Sequence, residues 1–350
     1  MEKYYTRACN FYYGLNSISK LKKKLSIPLN GNKNISFDHI ELISRKSKKK
    51  IYFKDIKFLP NKIKKKINKD IKLISKNKKI KNLKLSNLPI LMGILNLTPD
   101  SFSDGGKYLK KDFGYQHTKK LIKEGCAIVD IGGESTRPGA SKVKIKKEWK
   151  RIEPTLKKIK KLKHFISIDT RKSWIMKQSI IYKANLINDV SGFDYDPKSI
   201  NIIKKNKIPF ILHHMQGSPK TMQKIPKYKN VLLDIYDYFE NKIKIFRKKG
   251  ILHNNIILDP GIGFGKNLKH NITLISNISI FHSLGFPILL GLSRKNFIKN
   301  LSGKNDSKER IGGTVSSCLF AMLQGVQILR VHDSNEINQS LKVFKSLIMK

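Results

Sequence analysis

From residue 89 onward the sequence alternates between short apolar runs and longer amphipathic stretches, and this rhythm restricts the possible fold more than any other feature. Eight apolar runs occur, at 89–95, 127–131, 165–168, 186–187, 209–212, 256–258, 287–292 and 327–331. Each run has the character of a buried strand, and the stretches between them have the apolar spacing of helices. The clearest helical stretches are 146–163, 231–249, 268–284 and 308–324.

Eight strands alternating with helices over about 260 residues match the size of a (β/α)8 TIM barrel. A doubly wound sheet also alternates, but it usually has fewer strands and a glycine-rich dinucleotide turn after the first one. No such turn follows Leu95. We therefore predict one barrel domain over residues 89–350.

Residues 1–88 differ from the rest and are predicted to form a small basic extension. They contain 25 Lys or Arg and 5 Asp or Glu, a net charge of +20. Alternating apolar residues near 35–37 and 51–53 predict a short hairpin, and 62–84 predicts a basic helix. The segment could attract anions or a partner, or it could be a packing extension with a solvated lysine face. We favour the packing interpretation.

The formal net charge of the whole chain, +47, is carried by 63 Lys and only 9 Arg. Nucleic-acid readers recruit Arg for its bidentate contacts, so the bias toward Lys does not favour nucleic-acid binding. The chain also lacks the motifs of RNA-recognition, zinc-finger and helix-turn-helix proteins. We expect no specific nucleic-acid partner, and the basic extension keeps a non-enzymatic nucleic-acid-binding protein as an alternative.

The cysteine pattern and the hydropathy predict a cytoplasmic protein with no membrane partner. Cys9, Cys126 and Cys318 lie far apart without a Cys-x-x-Cys pair, which favours a reducing compartment over a disulfide framework or a structural zinc. The first residues lack the apolar stretch of a secretory leader. The uncharged runs 271–293 and 311–329 are interrupted by polar residues, glycine or proline, so each is interpreted as a buried helix joined to a buried strand.

Every predicted strand is followed by polar or charged residues, and in a barrel these strand ends meet at one face that carries the site. The strand-end residues are Asn96, 132–138, Asp169, Asn188 with Asp189, 213–217, 259–266, 293–295 and 330–333. One group among them, Asp169, Asn188 and Asp259, offers acceptors and an amide. Such a set suits the paired N–H groups of a planar heterocycle such as a pterin or a guanine, although either acid could instead cap a helix or bridge strands.

A second group at the strand ends suits an anion. Arg137, Arg330 and His332 supply cationic or anion-binding side chains, and Thr136 adds a hydroxyl donor. An Arg fork matches phosphate oxygens, and late-strand loops commonly hold phosphate in barrels. Asn96 could complete a Mg²⁺ site, because Mg²⁺ takes few protein ligands beside waters and substrate phosphates.

The segment 261–266, Gly-Ile-Gly-Phe-Gly-Lys, lacks the spacing of a P-loop or a dinucleotide turn. We expect its glycines to let the backbone approach a ligand, with Phe264 as a wall. His213 and His214 are adjacent, so they should face opposite sides of their strand, which argues against a shared catalytic zinc.

These motifs resemble the dihydropteroate synthase family of folate biosynthesis. The resemblance covers residues 89–350 and rests on 93–106, 130–139, 168–170, 188–189, 214–217, 259–266, 293–295 and 330–333, in this order and at compatible spacing. It implies a TIM-barrel transferase, usually a dimer and a sulfonamide target, that joins p-aminobenzoate to a dihydropterin diphosphate with Mg²⁺ and releases pyrophosphate.

The resemblance also implies roles for single residues. The pterin would be held by Asp169, Asn188, Asp259 and Lys295, and the diphosphate by Thr136, Arg137, Arg330 and His332. Mg²⁺ would be bound by Asn96. The p-aminobenzoate would lie against Phe102, Pro138, Gly263, Phe264 and Ser293. Asp104 would help to close the site, and with Arg137, Asp259 and Lys295 it would form the catalytic set.

Two departures from the family pattern occur, and neither removes a contacting group. Ile262 stands where the family often has Phe, and Arg171-Lys172 is more basic than usual. The nearest alternative within the same barrel type is a methyltetrahydrofolate–corrinoid methyltransferase. That enzyme shares the pterin-holding set but has no need of Arg137, of 330–332 or of a metal at Asn96.

Overall fold

The computed structural model describes residues 2–85, 89–98, 112–135, 140–217 and 226–350. The chain begins with an antiparallel sheet and two helices: β1 (Tyr5–Tyr13), α1 (Gly14–Lys22), β2 (Ile27–Leu29), β3 (Asn32–Ile43), β4 (Lys48–Tyr52) and α2 (Asn61–Ser75). The long strand β3 pairs with β1 along one edge and with β2 and β4 along the other. β3 and β4 form a hairpin, but residues 39–43 pair with 48–52 in it, whereas the predicted residues 35–37 pair with β1 and β2. The predicted helix over 62–84 is shorter, because the backbone becomes extended at Lys76.

The N-terminal unit packs on the barrel instead of projecting from it. Its own apolar cluster includes Phe37 from β3 and Ile67 from α2, both fully buried. Lys3 donates to Asp237 at 2.6 Å and to Glu240 at 2.7 Å, and the Tyr13 hydroxyl donates to the Leu323 carbonyl. Many of its lysines face solvent.

The remainder of the chain is a (β/α)8 barrel, as predicted. Its elements are β5 (Ile90–Asn96), α3 (Phe113–Lys123), β6 (Cys126–Gly132), α4 (Ile145–Ile159), β7 (Phe165–Asp169), α5 (Ser173–Ile181), β8 (Leu186–Asp189), α6 (Ser199–Lys205), β9 (Phe210–His213), α7 (Val231–Lys248), β10 (Ile256–Asp259), α8 (Leu268–Ser276), β11 (Leu289–Gly291), α9 (Asn296–Ser302), α10 (Ile311–Leu323), β12 (Ile328–Val331) and α11 (Ser334–Ile348). The eight strands are parallel, in the order β10-β9-β8-β7-β6-β5-β12-β11. A bridge between Leu258 and Ile288 joins the two ends of this order, so the sheet closes on itself.

The N-terminal segment also closes the lower end of the barrel, where the strands begin. Ile80 is fully buried and Leu85 nearly so, and both belong to the apolar cluster that fills the barrel interior. Their barrel partners are Met92, Ile128, Leu186, Ile211, Ile257, Leu289 and Ile328. The residues before β5 therefore complete the barrel core.

The two long uncharged runs are each a helix followed by a strand, as predicted. The stretch 268–284 is not one continuous helix, because α8 ends at Ser276 and a short 3-10 helix, Ile278–Leu284, follows. None of the helices in the described parts of the chain has both the length and the apolar character needed to cross a bilayer.

Candidate active site

The ends of four neighbouring strands bring polar residues to one level of the barrel. Asn96 of β5 is in register with Gly132 of β6, Gly132 with Asp169 of β7, and Asp169 with Asn188 of β8. Gly132 has no side chain, and a Cβ built there would lie 3.4 Å from the Asp169 Cβ and 3.7 Å from the Asn96 Oδ1. The predicted pterin and metal residues of these strands therefore lie side by side.

The Arg330 side chain of β12 extends across the barrel interior and binds two acids, Asp169 at the strand ends and the buried Asp130 below it. Its Nε donates to the Asp130 Oδ2 at 2.7 Å, and its Nη2 donates to the Asp169 Oδ2 at 2.9 Å. Asn188 donates its Nδ2 to the same Asp130 oxygen at 3.0 Å. One guanidinium thus holds two carboxylates, and the Asn188 amide is oriented by one of them.

The same carboxylates keep acceptor capacity that the protein does not use. The second oxygens of Asp130 and Asp169 are buried and find no hydrogen-bond partner among the described residues. Burial raises the pKa of Asp169 to about 8; the pull of Arg330 opposes this shift, and the Asp130 charge reinforces it. Because buried acceptors are normally satisfied, these two oxygens suit a ligand that brings its own N–H groups.

Asp259 ends β10 and faces the same interior. Its Oδ1 accepts the Gly261 backbone N–H at 2.8 Å, and its Oδ2 lies 3.8 Å from the His213 Nε2. Burial raises the pKa of Asp259, while the charges of Lys295 and Arg330 lower it. Arg330 therefore interacts electrostatically with both Asp169 and Asp259.

Lys295 follows β11 and reaches over the loop after β10. Its ammonium donates to the Ile262 carbonyl and lies 4.6 Å from the centre of the Phe264 ring. Burial lowers the pKa of Lys295 to about 8, and the nearby Asp259 charge opposes the shift. Lys295 is therefore a half-buried cation between the predicted pterin acid and the predicted aromatic wall.

The loop 261–266 is held in place at several backbone groups. Gly263 donates its N–H to the Asn271 side chain at 2.8 Å, and the Tyr228 hydroxyl donates to the Gly265 carbonyl at 2.9 Å. Gly261 and Gly265 have positive φ and press against the chain's own backbone at His214 and Gln216, where a Cβ would collide. At these two glycines the backbone closely approaches the protein's own backbone, so a side chain at either position would collide with it.

The last residue of the loop, Lys266, is a functional candidate that the sequence assignments omitted. Its Nζ donates to the Phe264 carbonyl at 2.8 Å and lies 3.1 Å from the His214 Nδ1. His213 instead uses its Nδ1 on the Val190 carbonyl at 3.0 Å, and its ring meets Phe264 edge-on. The two histidines thus have different hydrogen-bond partners.

Ser293 and His332, predicted for different substrates, contact each other. The His332 backbone N–H donates to the Ser293 Oγ at 3.2 Å, and its ring Nδ1 lies 3.1 Å from the same oxygen. When the Ser293 hydroxyl donates to Nδ1, the ring carries its proton on Nε2. Ser293 therefore orients His332 in addition to any contact with p-aminobenzoate.

The unusually basic pair Arg171-Lys172 is explained by two buried glutamates. Arg171 donates to Glu134 at 2.9 Å, Lys172 pairs with both Glu134 and Glu148, and Thr170 donates to Glu148 at 2.6 Å. This cluster ties the loops after β6 and β7 to helix α4, next to Asp169.

Five predicted site residues, Phe102, Asp104, Thr136, Arg137 and Pro138, lie outside the described residues. Asp130 was missed as a site residue, although the sequence contained its signal, an acid inside an apolar strand. Lys266 carried no such signal, because its role depends on which carbonyls surround it.

A cavity of about 610 Å³ lies at the other end of the barrel. It is lined by the segment 81–84 and by residues around the starts of β6, β7 and β8, among them Lys163, Phe165 and Asn185. Barrel enzymes carry their chemistry at the opposite face, so the strand-end cluster is the candidate site.

Comparisons with known proteins show which family the chain is similar to. A family model described as pterin binding enzyme matches residues 92–332. Dihydropteroate synthase of Escherichia coli K12 is 39% identical over 261 residues, covering 74% of this chain and 92% of that protein. The Synechocystis dihydropteroate synthase is 40% identical over 258 residues, covering 73% of this chain and 89% of its own.

Solved structures give the same picture. A crystal structure of Yersinia pestis dihydropteroate synthase with a sulfonamide drug complex has a TM-score of 0.71 at 39% identity, covering 76% of this chain and 96% of that one. The Xanthomonas albilineans dihydropteroate synthase in complex with 7,8-dihydropteroate has a TM-score of 0.69 at 32% identity. The match covers 76% of this chain and 95% of that one.

Proposed function

The chain belongs to the pterin-binding enzyme family as a dihydropteroate synthase, and we propose which of its residues perform each part of the reaction. The enzyme is a transferase, EC 2.5.1.15. It condenses p-aminobenzoate with (7,8-dihydropterin-6-yl)methyl diphosphate to give 7,8-dihydropteroate and pyrophosphate in folate biosynthesis. The residue roles, the metal and the assembly are our proposals.

We assign the pterin to Asp169, Asn188, Asp259 and Lys295. The observation that carries this assignment is the pair of buried carboxylate oxygens, on Asp130 and Asp169, that lack partners among the described residues. The amino and ring N–H groups of a pterin are the donors that such oxygens need. The Asn188 amide, oriented by Asp130, adds a further contact at the same level.

The acids also favour the chemistry at the adjacent methylene carbon. As the C–O bond to the diphosphate breaks, positive charge develops on that carbon and spreads into the pterin ring. Asp259, buried in the same interior, stabilises this charge. The amine of p-aminobenzoate then attacks the carbon, forms the new C–N bond and loses a proton, so no covalent bond to the enzyme is needed.

The diphosphate is assigned to Arg330 and His332 of β12 and its loop, together with Thr136 and Arg137. The Ser293 contact supports a ring proton on the His332 Nε2, where it can be donated to a phosphate oxygen. Asn96 would hold Mg²⁺ through its side-chain oxygen, at the level of Asp169, and the diphosphate oxygens would supply further ligands. When bound, Mg²⁺ neutralises charge on the leaving pyrophosphate.

The arylamine is assigned to a pocket formed by Gly263, Phe264 and Ser293, with Phe102 and Pro138. Phe264 is half-buried and packed between His213 and Lys295, so its ring offers a fixed face. Asp104 and Arg137, from the loops after β5 and β6, would help to close the site. Closure would exclude water, which otherwise competes with the amine.

We also propose that the enzyme is a cytoplasmic homodimer. The outer faces of α10 and α11 form an apolar groove of about 310 Å³ lined by Val315, Leu319, Val343, Phe344 and Leu347. Val343 is 58% exposed and Leu347 66%, and exposed apolar groups of this kind mark protein interfaces. The three cysteines are buried free thiols, which suits a reducing compartment.

The experiment that tests the proposal is a pyrophosphate-release assay with the full chain. Release should require the dihydropterin diphosphate, p-aminobenzoate and Mg²⁺ together, and 7,8-dihydropteroate should appear in equal amount. Release that proceeds without p-aminobenzoate would contradict the synthase assignment.

A further inference from the structure

Lys266 is a buried cation whose hydrogen-bond partners among the described residues are all neutral. Only 2% of the residue is exposed. Its Nζ lies 2.8 Å from the Phe264 carbonyl, 3.1 Å from the His214 Nδ1 and 3.4 Å from the His214 carbonyl. An ammonium has three N–H groups, and these three acceptors can take all of them.

Moving an ammonium group from water into the protein interior costs free energy, which its hydrogen bonds must offset. Burial lowers the pKa of Lys266 well below its ordinary value, and the Asp259 charge only partly opposes this. A methionine or leucine would fill a similar volume without the desolvation cost. The specific contribution of Lys266 is therefore its donors, which join the loop after β9 to the loop after β10.

The residue that these donors fix is Phe264. The segment around it contains Gly261, Gly263 and Gly265, all at positive φ, which provide no side chains to anchor it. The centre of the Phe264 ring lies 4.7 Å from the centre of the His213 ring and 4.6 Å from the Lys295 Nζ. The orientation of the Phe264 ring between these two groups therefore depends on the position of its backbone. Lys266 holds that backbone from the side of β9.

We propose that Lys266 is a positioning residue that sets the Phe264 wall of the p-aminobenzoate pocket and thereby determines the affinity for the arylamine. The inference rests on the proposed role of Phe264. It assigns to Lys266 no contact with either substrate.

The test compares Lys266→Met with a matched buried lysine. Lys78 is 5% exposed and also donates its ammonium to a backbone carbonyl, that of Leu73, but it lies in the N-terminal segment. We expect K266M to raise the KM for p-aminobenzoate about tenfold or more, with less than a twofold change for the dihydropterin diphosphate. K78M should lower the melting temperature and leave both KM values unchanged.

A second variant covers the case in which K266M fails to fold. Lys266→Arg keeps the charge, but a planar fork cannot direct its N–H groups as a compact ammonium does. K266R should raise the KM for p-aminobenzoate at least threefold while the KM for the diphosphate stays unchanged. An unchanged arylamine KM in the folded variants, or equal increases for both substrates, would overturn the inference. Wild-type protein without two-substrate turnover would instead contradict the proposed function.

Discussion

Arg330 and Asp169 are hydrogen-bonded to each other at 2.9 Å, although they are assigned to opposite halves of the substrate. The same guanidinium also holds Asp130 at 2.7 Å. The pterin acids and the diphosphate residues thus share one cation. A change at Arg330 should therefore disturb both halves of the site.

The first prediction concerns the loss of this shared cation. Arg330→Ala should lower the free energy of unfolding by about 3–5 kcal/mol, because it leaves two buried carboxylates without their cationic partner. Urea unfolding measures this loss, and the pyrophosphate-release assay should show at least a hundredfold lower kcat/KM. Adding Asp130→Asn should restore part of the stability. A wild-type unfolding curve for R330A would contradict the bridging role.

The second prediction concerns Asp259. Asp259→Ala should abolish turnover and pterin binding, because the site loses one of the acids assigned to the pterin and the charge that stabilises the developing cation. Calorimetric titration with the dihydropterin diphosphate provides the measurement. Asp196→Asn is a suitable control, because Asp196 also accepts backbone N–H groups but lies outside the assigned set. Near-normal activity in D259A would remove the pterin assignment.

The third prediction concerns pH. Lys295 has a pKa lowered to about 8, so its ammonium is present below that pH and is lost as pH rises through it. The kcat/KM for the dihydropterin diphosphate should therefore fall above about pH 8, since this quantity reports groups of the free enzyme. Lys295→Arg should move the falling limb to higher pH, because a guanidinium keeps its proton. An identical limb in K295R would assign the titration to another group.

The fourth prediction concerns the metal. Removal of Mg²⁺ with EDTA should stop turnover, and added Mg²⁺ should restore it. Asn96→Ala should raise the Mg²⁺ concentration needed for half-maximal activity about tenfold, a size typical of a lost metal-site contact. Without metal, the Asn96→Ala variant should melt at nearly the same temperature as the wild type, because Asn96 is only half-buried. The same Mg²⁺ dependence in the variant and the wild type would exclude Asn96 as a ligand.

The fifth prediction concerns assembly. Leu347→Glu places a charge in the apolar groove between α10 and α11 and should convert the dimer to monomers in analytical ultracentrifugation. Leu15→Glu is the control, since Leu15 is 67% exposed but lies on α1. Wild-type protein that sediments as a monomer would contradict the dimer, and an unchanged L347E dimer would place the interface elsewhere.

The barrel and most strand-end residues could be predicted from the sequence, because strand periodicity and polar strand ends are local properties. Asp169, Asn188 and Asp259 all lie where the alternation places them. The direct contacts between Arg330 and Asp169, and between Ser293 and His332, could not be predicted. They depend on how the barrel closes, which relates residues far apart in the chain.

In the N-terminal unit, too, the local features could be predicted from the sequence and the long-range contacts could not. Its hairpin follows from local alternation, whereas the route of the chain after Ser75 does not. Lys76 leaves the helical path, and Ile80 ends among barrel side chains contributed by distant strands. No local pattern in residues 62–84 predicts that Ile80 packs inside the barrel.

Because Ile80 occupies the bottom of the barrel core, the extension and the barrel cannot vary independently. A bulkier residue at position 80 would fit only if neighbouring side chains such as Ile128 or Leu186 were replaced by smaller ones. A smaller residue at position 80 would leave a void beneath the strands. A fragment that begins at the first barrel strand would expose that apolar surface to water. Attempts to shorten this enzyme, or to exchange its extension for that of a relative, should therefore retain the residues from Ile80 to Leu85 with the barrel they seal.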